Sequence, residues 1–473
     1  MLFNSYPFLF LFLPITVLVF WRLSHRQRAA LFWLVAASLL FYAWWRPPYL
    51  LLLLAAILGN YGCIKLIKRY PRQRFKLLLL GISAHLLLLG YYKYSHFFVD
   101  TLNQLSTLAI HWPAPLLPLA ISFFTFQNIA YLVDCYRGHK APESLLHYSF
   151  FISFFPQLIA GPIVYYREIE PQITTTFSVQ AANSAIGLSL LTIGLFKKVV
   201  IADNLAAYVE PVFAAANQGE VIGFFLAWQA ALAYTLQLYF DFCGYSDMAT
   251  GLARLFGITL PLNFYSPYQA TNIIQFWRRW HMTLSRFLRD YVYIPLGGYR
   301  RRYLNLMMTM LLGGLWHGAG WHFILWGGLH GLYLIINHLW QAVSIKRIPM
   351  KGFSTALTFL AVVFAWVMFK AEHLSAAGLI YQGMLGLHGF GKSIQYWPWL
   401  FIGALLFMVW FAPNSYQLMA EYQPALLTYS DVMIQKTRLS WQPTRFWALI
   451  MALLAVISVL SLYRVEAFVY FQF

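Results

Sequence analysis

Charged residues are scarce in this chain. Asp, Glu, Lys and Arg make up 10% of its 473 residues, whereas hydrophobic residues make up 60% and the mean hydropathy is +0.61. Soluble domains carry roughly a quarter charged residues, so this composition excludes an ordinary water-soluble globular protein. The alternating strand pattern typical of a membrane barrel is also lacking.

What the sequence has instead is a series of long apolar runs. A helix needs about 20 apolar residues to cross the hydrocarbon of a bilayer. Runs near that length lie at 6–21, 29–45, 48–64, 77–92, 183–202, 221–240, 354–369, 397–412 and 444–463. We therefore expect an all-α, polytopic integral membrane helical bundle.

Cysteine is scarce too, and it lacks metal or redox spacing. The three cysteines, Cys63, Cys135 and Cys243, lie in apolar surroundings without a CxxC pair. They are interpreted as small buried side chains. We expect no metal site and no bound cofactor.

Acidic residues are fewer than basic ones, at 15 against 33, which gives a net charge of +18. The basic residues cluster after alternate apolar runs, near 22–28, 65–76, 346–351 and 436–445. This is the positive-inside pattern, which places these loops in the cytoplasm and both termini on the outer side. We therefore expect the charge to reflect a lipid bilayer partner and no nucleic acid.

Residues 241–305 interrupt the series of apolar runs. The stretch is too polar and too rich in Gly and Pro for a simple span, yet too aromatic for a solvated loop. Irregular backbone at membrane depth is tolerated only inside protein or along a water-filled cavity. We expect re-entrant or interfacial helices here. No repeat or disordered linker divides the chain, which indicates one domain over residues 1–473.

The segment FWRRWHMTLSRFLRD, residues 276–290, places a histidine in this region. As one helix at about 100° per residue, it has four arginines within an arc of roughly 100° and His281 on the opposite, apolar side. Two interpretations of His281 stay open: a packed core residue or a site residue. The arginines either anchor the helix at the interface or bind an anionic cytosolic ligand; they are Arg278, Arg279, Arg286 and Arg289.

A second segment, LLGGLWHGAGWHFILWGGLHG at residues 311–331, combines seven glycines with three histidines. Such glycine density lets helices approach closely. On one continuous helix, His322 and His330 would each lie about 140° from His317, in opposite senses. The three imidazoles would then not face one centre, which argues against haem or a metal ion.

Long motifs along the chain resemble those of a known family. They are MLFNSYPFLFLFLP at the start, ISFFTFQNIAYLVDCYRG at 121–138, FPQLIAGPI at 155–163, DFCGYSDMATGLARLFGI at 241–258, both histidine segments and a terminal FVYFQF. The chain resembles the membrane-bound O-acyltransferase family, in its bacterial branch for O-acetylation of alginate, peptidoglycan and other exopolysaccharides. The resemblance implies helices around a central tunnel through the bacterial inner membrane.

The resemblance also implies roles for particular residues. His317, in the WHG motif, matches the family's essential histidine, and His281 matches a second polar position. His330 falls in a further family motif and is a secondary site candidate, as are Trp316 and Trp277. A histidine with a reference pKa of about 6.5 is suited to take the hydroxyl proton of an acyl acceptor at neutral pH.

The implied activity is transfer of an acetyl group from cytosolic acetyl-coenzyme A across the membrane to a cell-envelope polysaccharide, through a periplasmic acetyltransferase partner. The arginines of 278–289 are candidates for binding the donor phosphates. Tyr470, in FVYFQF, is either an aromatic interface anchor or an acyl relay like the tyrosine associated with D-alanylation systems. The alternative function is a transporter or channel whose histidines line a substrate or proton path.

Overall fold

The computed structural model describes residues 1–106, 109–139, 144–177, 179–343, 351–391, 396–463 and 468. Across these ranges the chain is helical and forms no β-strand. The predicted all-α fold is confirmed. The helices of the first part of the chain are α1 (Leu13–Leu23), α2 (Gln27–Ala43), α3 (Pro47–Arg69), α4 (Arg74–Leu89), α5 (Ser95–Leu105), α6 (Ile121–Tyr136), α7 (Leu145–Ser153), α8 (Phe155–Leu158) and α9 (Tyr166–Ile173).

The remaining helices include the longest one and those that carry the histidines. They are α10 (Ala181–Phe196), α11 (Asp203–Asn217), α12 (Phe224–Leu255), α13 (Ile273–Trp277), α14 (Met282–Leu288), α15 (Arg302–His317), α16 (Trp321–Val343), α17 (Lys351–Lys370), α18 (Leu374–Met384), α19 (Tyr396–Phe411), α20 (Ser415–Leu418) and α21 (Arg445–Leu460).

Five helical stretches within the described ranges are long and apolar enough to cross a membrane. Three shorter apolar helices accompany them, at Phe8–Leu23, Gln27–Ala43 and Tyr396–Phe411. The predicted multi-pass membrane protein is confirmed. The five stretches are Pro47–Arg69, Pro71–Leu105, Ala181–Asn217, Lys351–Lys370 and Arg445–Tyr463.

The chain divides into two compact units, one of Met1–Leu191 with Met248–Pro261 and one of Thr192–Asp247 with Leu262–Phe473. One domain over residues 1–473 stays a prediction. The first unit contains a group of buried, hydrogen-bonded polar side chains. His85 Nε2 lies 3.0 Å from Asn60 Oδ1, and the Tyr148 hydroxyl donates to Asn128 Oδ1. Pairing of this kind lets polar groups be buried at low cost.

In the second unit, glycines let α15 and α16 pack backbone to backbone. A Cβ on Gly314 would lie 2.2 Å from the carbonyl oxygen of Phe323, and one on Gly327 would lie 2.2 Å from that of Met310. Both separations are far below van der Waals contact. The expected close helix approach is confirmed for this pair.

Helix α12 runs through the polar DFCGYSDMATG stretch and ends only at Leu255. The prediction that irregular structure begins at residue 241 is therefore wrong. Its carboxylates are buried but paired: Asp241 lies 2.7 Å from Lys198 Nζ, and Asp247 lies 2.6 Å from Lys197 Nζ. Because ion pairing offsets the desolvation of these groups, the helix continues through them. Short helices begin further on, with α13 and α14.

The prediction of one helix over 276–290 is also wrong. Helix α13 ends at Trp277, and α14 begins at Met282 after a left-handed residue, His281. The backbone of 279–282 instead hydrogen-bonds to an upstream loop. Likewise α15 ends at His317 and α16 begins at Trp321, so the angles assigned to one helix over 311–331 do not apply.

Candidate active site

His281 occupies a strained backbone position within the second unit. Its φ of 42° and ψ of 53° lie in the left-handed region, which is uncommon for residues other than glycine. Two backbone hydrogen bonds flank it: Met282 N–H donates to the Asn263 carbonyl at 3.0 Å, and Tyr265 N–H donates to the Arg279 carbonyl at 2.9 Å. Strain of this kind persists only where the surroundings impose it, and it clusters at functional sites.

The side chain of Asn263 orients the imidazole of His281. Asn263 Oδ1 lies 3.2 Å from His281 Nδ1 and accepts from the backbone N–H and the hydroxyl of Thr283 at 3.3 and 2.9 Å. Asn263 Nδ2 donates to Ser246 Oγ at 3.2 Å. Because a backbone N–H can only donate, this atom of Asn263 is the oxygen, and His281 Nδ1 carries the proton. The Nε2 atom of His281 then bears a lone pair.

The surroundings of His281 are aromatic. The imidazole is fully buried, with Phe242 4.7 Å away edge-on and Trp316 6.2 Å away, between ring centroids. His281 lies outside the five candidate spans, and burial lowers its pKa to about 3. The imidazole of His281 is therefore neutral at physiological pH.

His317 is the last residue of α15 and is 4% exposed. Its ring centroid lies 5.0 Å from that of Trp316, 5.0 Å from that of Trp326 and 5.4 Å from that of Phe369. Trp316 therefore contacts both His281 and His317. The structure places both predicted catalytic histidines next to the indole of Trp316.

His330 is fully buried in the same aromatic cluster. Its ring lies 4.9 Å from Trp326 and 5.1 Å from Trp277, and neither ring nitrogen has a hydrogen-bond partner in the described part of the chain. Trp326 thus contacts His317 and His330 alike. The angle of about 140° expected between these two histidines does not apply, because α15 ends at His317 and α16 begins at Trp321.

The four arginines do not share one face. Arg278 is exposed and pairs with Asp431 at 2.7 Å. Arg289 pairs with Asp290 at 2.7 Å, whereas Arg286 is 6% exposed within α14. Arg279 lines a cavity. The break at His281 separates the positions that a continuous helix would have aligned.

Tyr470 lies outside the described residues. Phe468, two positions before it, is buried, and its ring centroid lies 5.6 Å from Phe242 and 4.7 Å from Tyr245. Because Phe242 also packs on His281, Phe468 lies close to the surroundings of the histidine site. Within the described ranges, no three His, Cys, Asp or Glu side chains are grouped to hold a metal ion.

Sequence reasoning missed Asn263 and Trp326. Asn263 precedes His281 by eighteen residues in an irregular loop, where no helical period links the two positions. Trp326 lies in the glycine-rich segment that had been singled out, but its contact with His317 arises only after the chain turns between α15 and α16. The density of polar residues in LPLNFYSPYQATN was the one available signal for Asn263.

Comparison with known proteins identifies the family of this chain. Residues 118–376, which include both histidines, match the model of the membrane-bound O-acyltransferase family. A peptidoglycan O-acetyltransferase of Helicobacter pylori is 41% identical over 82% of this chain and 80% of its own length. A protein of Pseudomonas aeruginosa named "Probable alginate O-acetylase" is 39% identical over 81% of this chain and 75% of its own length.

A teichoic acid D-alanyltransferase of Bacillus subtilis is more distant, at 28% identity over 54% of this chain and 69% of its own length. The family match covers more than half of the chain, and the first two relatives cover most of it. Of the two functions considered, acyl transfer and a channel without covalent chemistry, these similarities support acyl transfer. The chain belongs to the membrane-bound O-acyltransferase family and is a multi-pass membrane O-acyltransferase.

Proposed function

We propose that this enzyme takes an acetyl group from acetyl-coenzyme A on the cytoplasmic side of the bacterial inner membrane, for O-acetylation of a cell-envelope polysaccharide. Relatives named for peptidoglycan and alginate acetylation, each about 40% identical, support the acetyl group and the polymer class. The positive-inside pattern supports the cytoplasmic side for the donor and a periplasmic location for both termini.

The observation that carries the proposal is the meeting of His281 and His317 at Trp316. Two buried imidazoles beside one indole, in a chain of this family, provide a proton acceptor and a second polar group in a water-poor site. Proton transfer by a positioned histidine contributes about 10²–10⁴-fold to a rate. A buried hydrogen-bond donor or dipole next to developing charge adds electrostatic stabilisation.

In the proposed reaction, His317 removes the proton of an acceptor hydroxyl as its oxygen attacks the thioester carbonyl carbon. The carbon–sulfur bond breaks, and the coenzyme sulfur takes a proton from the imidazolium. His281, held by Asn263, orients the acceptor or the carbonyl group. His317 is neutral again at the end of this step, the acceptor oxygen carries the acetyl group, and the released coenzyme thiol carries the proton that the acceptor lost.

The first acceptor in this proposal is the phenol of Tyr470. A phenol with a pKa of about 10 is a better leaving group than an alkanol, so a tyrosyl ester keeps its acyl transfer potential. A periplasmic polysaccharide acetyltransferase would then pass the acetyl group to the polymer hydroxyl. The contacts of Phe468 with Phe242 and Tyr245 support access of this motif to the histidine site.

The test is acetyl transfer by the purified full chain in lipid nanodiscs, supplied with acetyl-coenzyme A labelled in the acetyl group. We expect His317→Gln to lower release of the free coenzyme thiol by about 10²-fold or more. His322→Gln is the matched control, since His322 is a partly exposed neighbour whose ring centroid lies 4.1 Å from that of Phe323. Full activity of His317→Gln would exclude His317 as the base.

The relay has its own test. Label retained on the denatured wild-type protein and absent from Tyr470→Phe would support a tyrosyl ester. If Tyr470→Phe cells still acetylate their polymer at the wild-type level, the relay is wrong while the acyltransferase itself stands.

A further inference from the structure

A cavity of about 650 Å³ opens beside the segment that carries His281. Its walls come from the loop at residues 265–279, the first turns of α17 and the residues around the end of α19. This volume is in the range of small-molecule binding sites, which is about 300–1,000 Å³. The cavity is separate from the aromatic cluster around the histidines, since none of those rings lines it.

Two cations face this cavity, Arg279 and Lys351, and none of the described residues that line it is acidic. The neighbouring arginines are different, because Arg278 pairs with Asp431 and Arg289 pairs with Asp290. In the described part of the chain, the guanidinium of Arg279 forms no ion pair with a carboxylate. Among the described lining residues, the charges of Arg279 and Lys351 are therefore not balanced by a carboxylate.

Arg279 is half-buried, with its guanidinium carbon 5.9 Å from the centre of the Tyr265 ring. This partial burial desolvates the charge and lowers the pKa of Arg279 from its usual value. A desolvated cation without a counter-ion is unfavourable unless an anion binds it. Its backbone is fixed by the hydrogen bond from Tyr265, so the position of this charge is set by the same loop that holds His281.

The other polar groups of the cavity are uncharged, and an aromatic ring from Trp410 completes the wall. Amide side chains of this kind suit a ligand with amide and hydroxyl groups, and a fork of guanidinium donors suits phosphate oxygens. The amides belong to Gln269, Gln275, Gln417 and Gln435.

We propose that this cavity is a phosphate-binding site, in which Arg279 and Lys351 together hold the phosphate ester of a ligand. This inference rests on the proposed function in one respect, since the donor coenzyme is the expected source of the phosphate. A phospholipid headgroup offers the same chemistry and is the second source. Lys351 belongs to the basic cluster near 346–351, so in the predicted topology the cavity faces the cytoplasm.

The test measures binding of coenzyme A to the purified full chain in phosphatidylcholine nanodiscs by calorimetry. We expect Arg279→Gln and Lys351→Gln each to raise the Kd about tenfold, the loss of one charge-assisted contact. Arg301→Gln is the matched control, because this exposed arginine does not line the cavity. Arg279→Lys keeps the positive charge but loses the forked donors of the guanidinium. We expect its Kd for coenzyme A to lie between those of the wild type and Arg279→Gln, which would also show that the site is still folded.

A second arm separates the two sources of phosphate. If Arg279→Gln leaves the Kd of coenzyme A unchanged but abolishes the thermal stabilisation given by added phosphatidylglycerol, the site binds lipid phosphate. If neither coenzyme binding nor lipid stabilisation changes in Arg279→Gln and Lys351→Gln, the proposal is overturned. A different result would contradict the proposed function. In that case His317→Gln would retain acetyl transfer, whatever the affinity of the arginine variants for coenzyme A.

Discussion

Asn263 and His281 are coupled twice, once through the side chains and once through the backbone. Asn263 Oδ1 lies 3.2 Å from His281 Nδ1, and the Asn263 carbonyl accepts from the residue that follows His281 at 3.0 Å. One residue therefore stabilises both the left-handed backbone of His281 and the protonation of its ring.

Replacing Asn263 should impair catalysis through His281. We expect Asn263→Leu to lower kcat by about 10-fold to 100-fold, because the imidazole of His281 would lose its orientation. The change in KM should be smaller. Histidine ¹⁵N NMR of the wild type should show an Nδ1-protonated ring that His281→Gln removes and Asn263→Leu alters. The control is Thr283→Val, which removes a different donor to Asn263 and should keep the ring signal. An unchanged ring signal in Asn263→Leu would contradict this role.

Close packing of α15 on α16 should not tolerate a methyl group. We expect Gly314→Ala to lower the thermal midpoint of the purified protein, because the new Cβ would lie 2.2 Å from the Phe323 carbonyl oxygen. Gly403→Ala is the control, since nothing lies within 4 Å of a Cβ there, on α19. Equal midpoints for the two variants would show that the helices can separate without cost.

The buried pair of Lys197 and Asp247 should be coupled energetically. Lys197→Met leaves Asp247 buried without its cation, a change that costs about 3–5 kcal/mol in comparable pairs. Asp247 also accepts from Ser415 at 2.7 Å. We expect the double variant Lys197→Met, Asp247→Asn to unfold at a higher temperature than Lys197→Met alone. Additive losses in this double-mutant cycle would mean that the pair contributes no net coupling.

His330 should be replaceable without loss of stability. Its ring packs among aromatic side chains, and neither of its nitrogens is hydrogen-bonded within the described ranges. His330→Phe preserves the ring and removes no such bond, so we expect its thermal midpoint to equal that of the wild type or exceed it. Acetyl transfer measured on the same sample then reports the chemical role of the imidazole. A clearly lower midpoint would show that a nitrogen of His330 has a structural partner.

The sequence predicted the membrane environment and the helical class, and it singled out the two histidines that the structure places beside Trp316. These features depend on local composition and on long motifs, which are carried by the chain itself. Apolar runs of sufficient length become helices because the bilayer offers no other partner for the backbone. Five of the expected runs correspond to helices long enough to span.

The relation between the site residues depended on the tertiary structure. Helical phasing failed at His281 and again after His317, because hydrogen bonds from a distant loop and the turn before α16 override the local period. The first break separated Arg278 and Arg279 from Arg286 and Arg289, and after the second break His317 and His330 both pack on Trp326. The helical period predicts the directions of side chains only as far as the helix continues. In this protein, tertiary packing determines where these helices end.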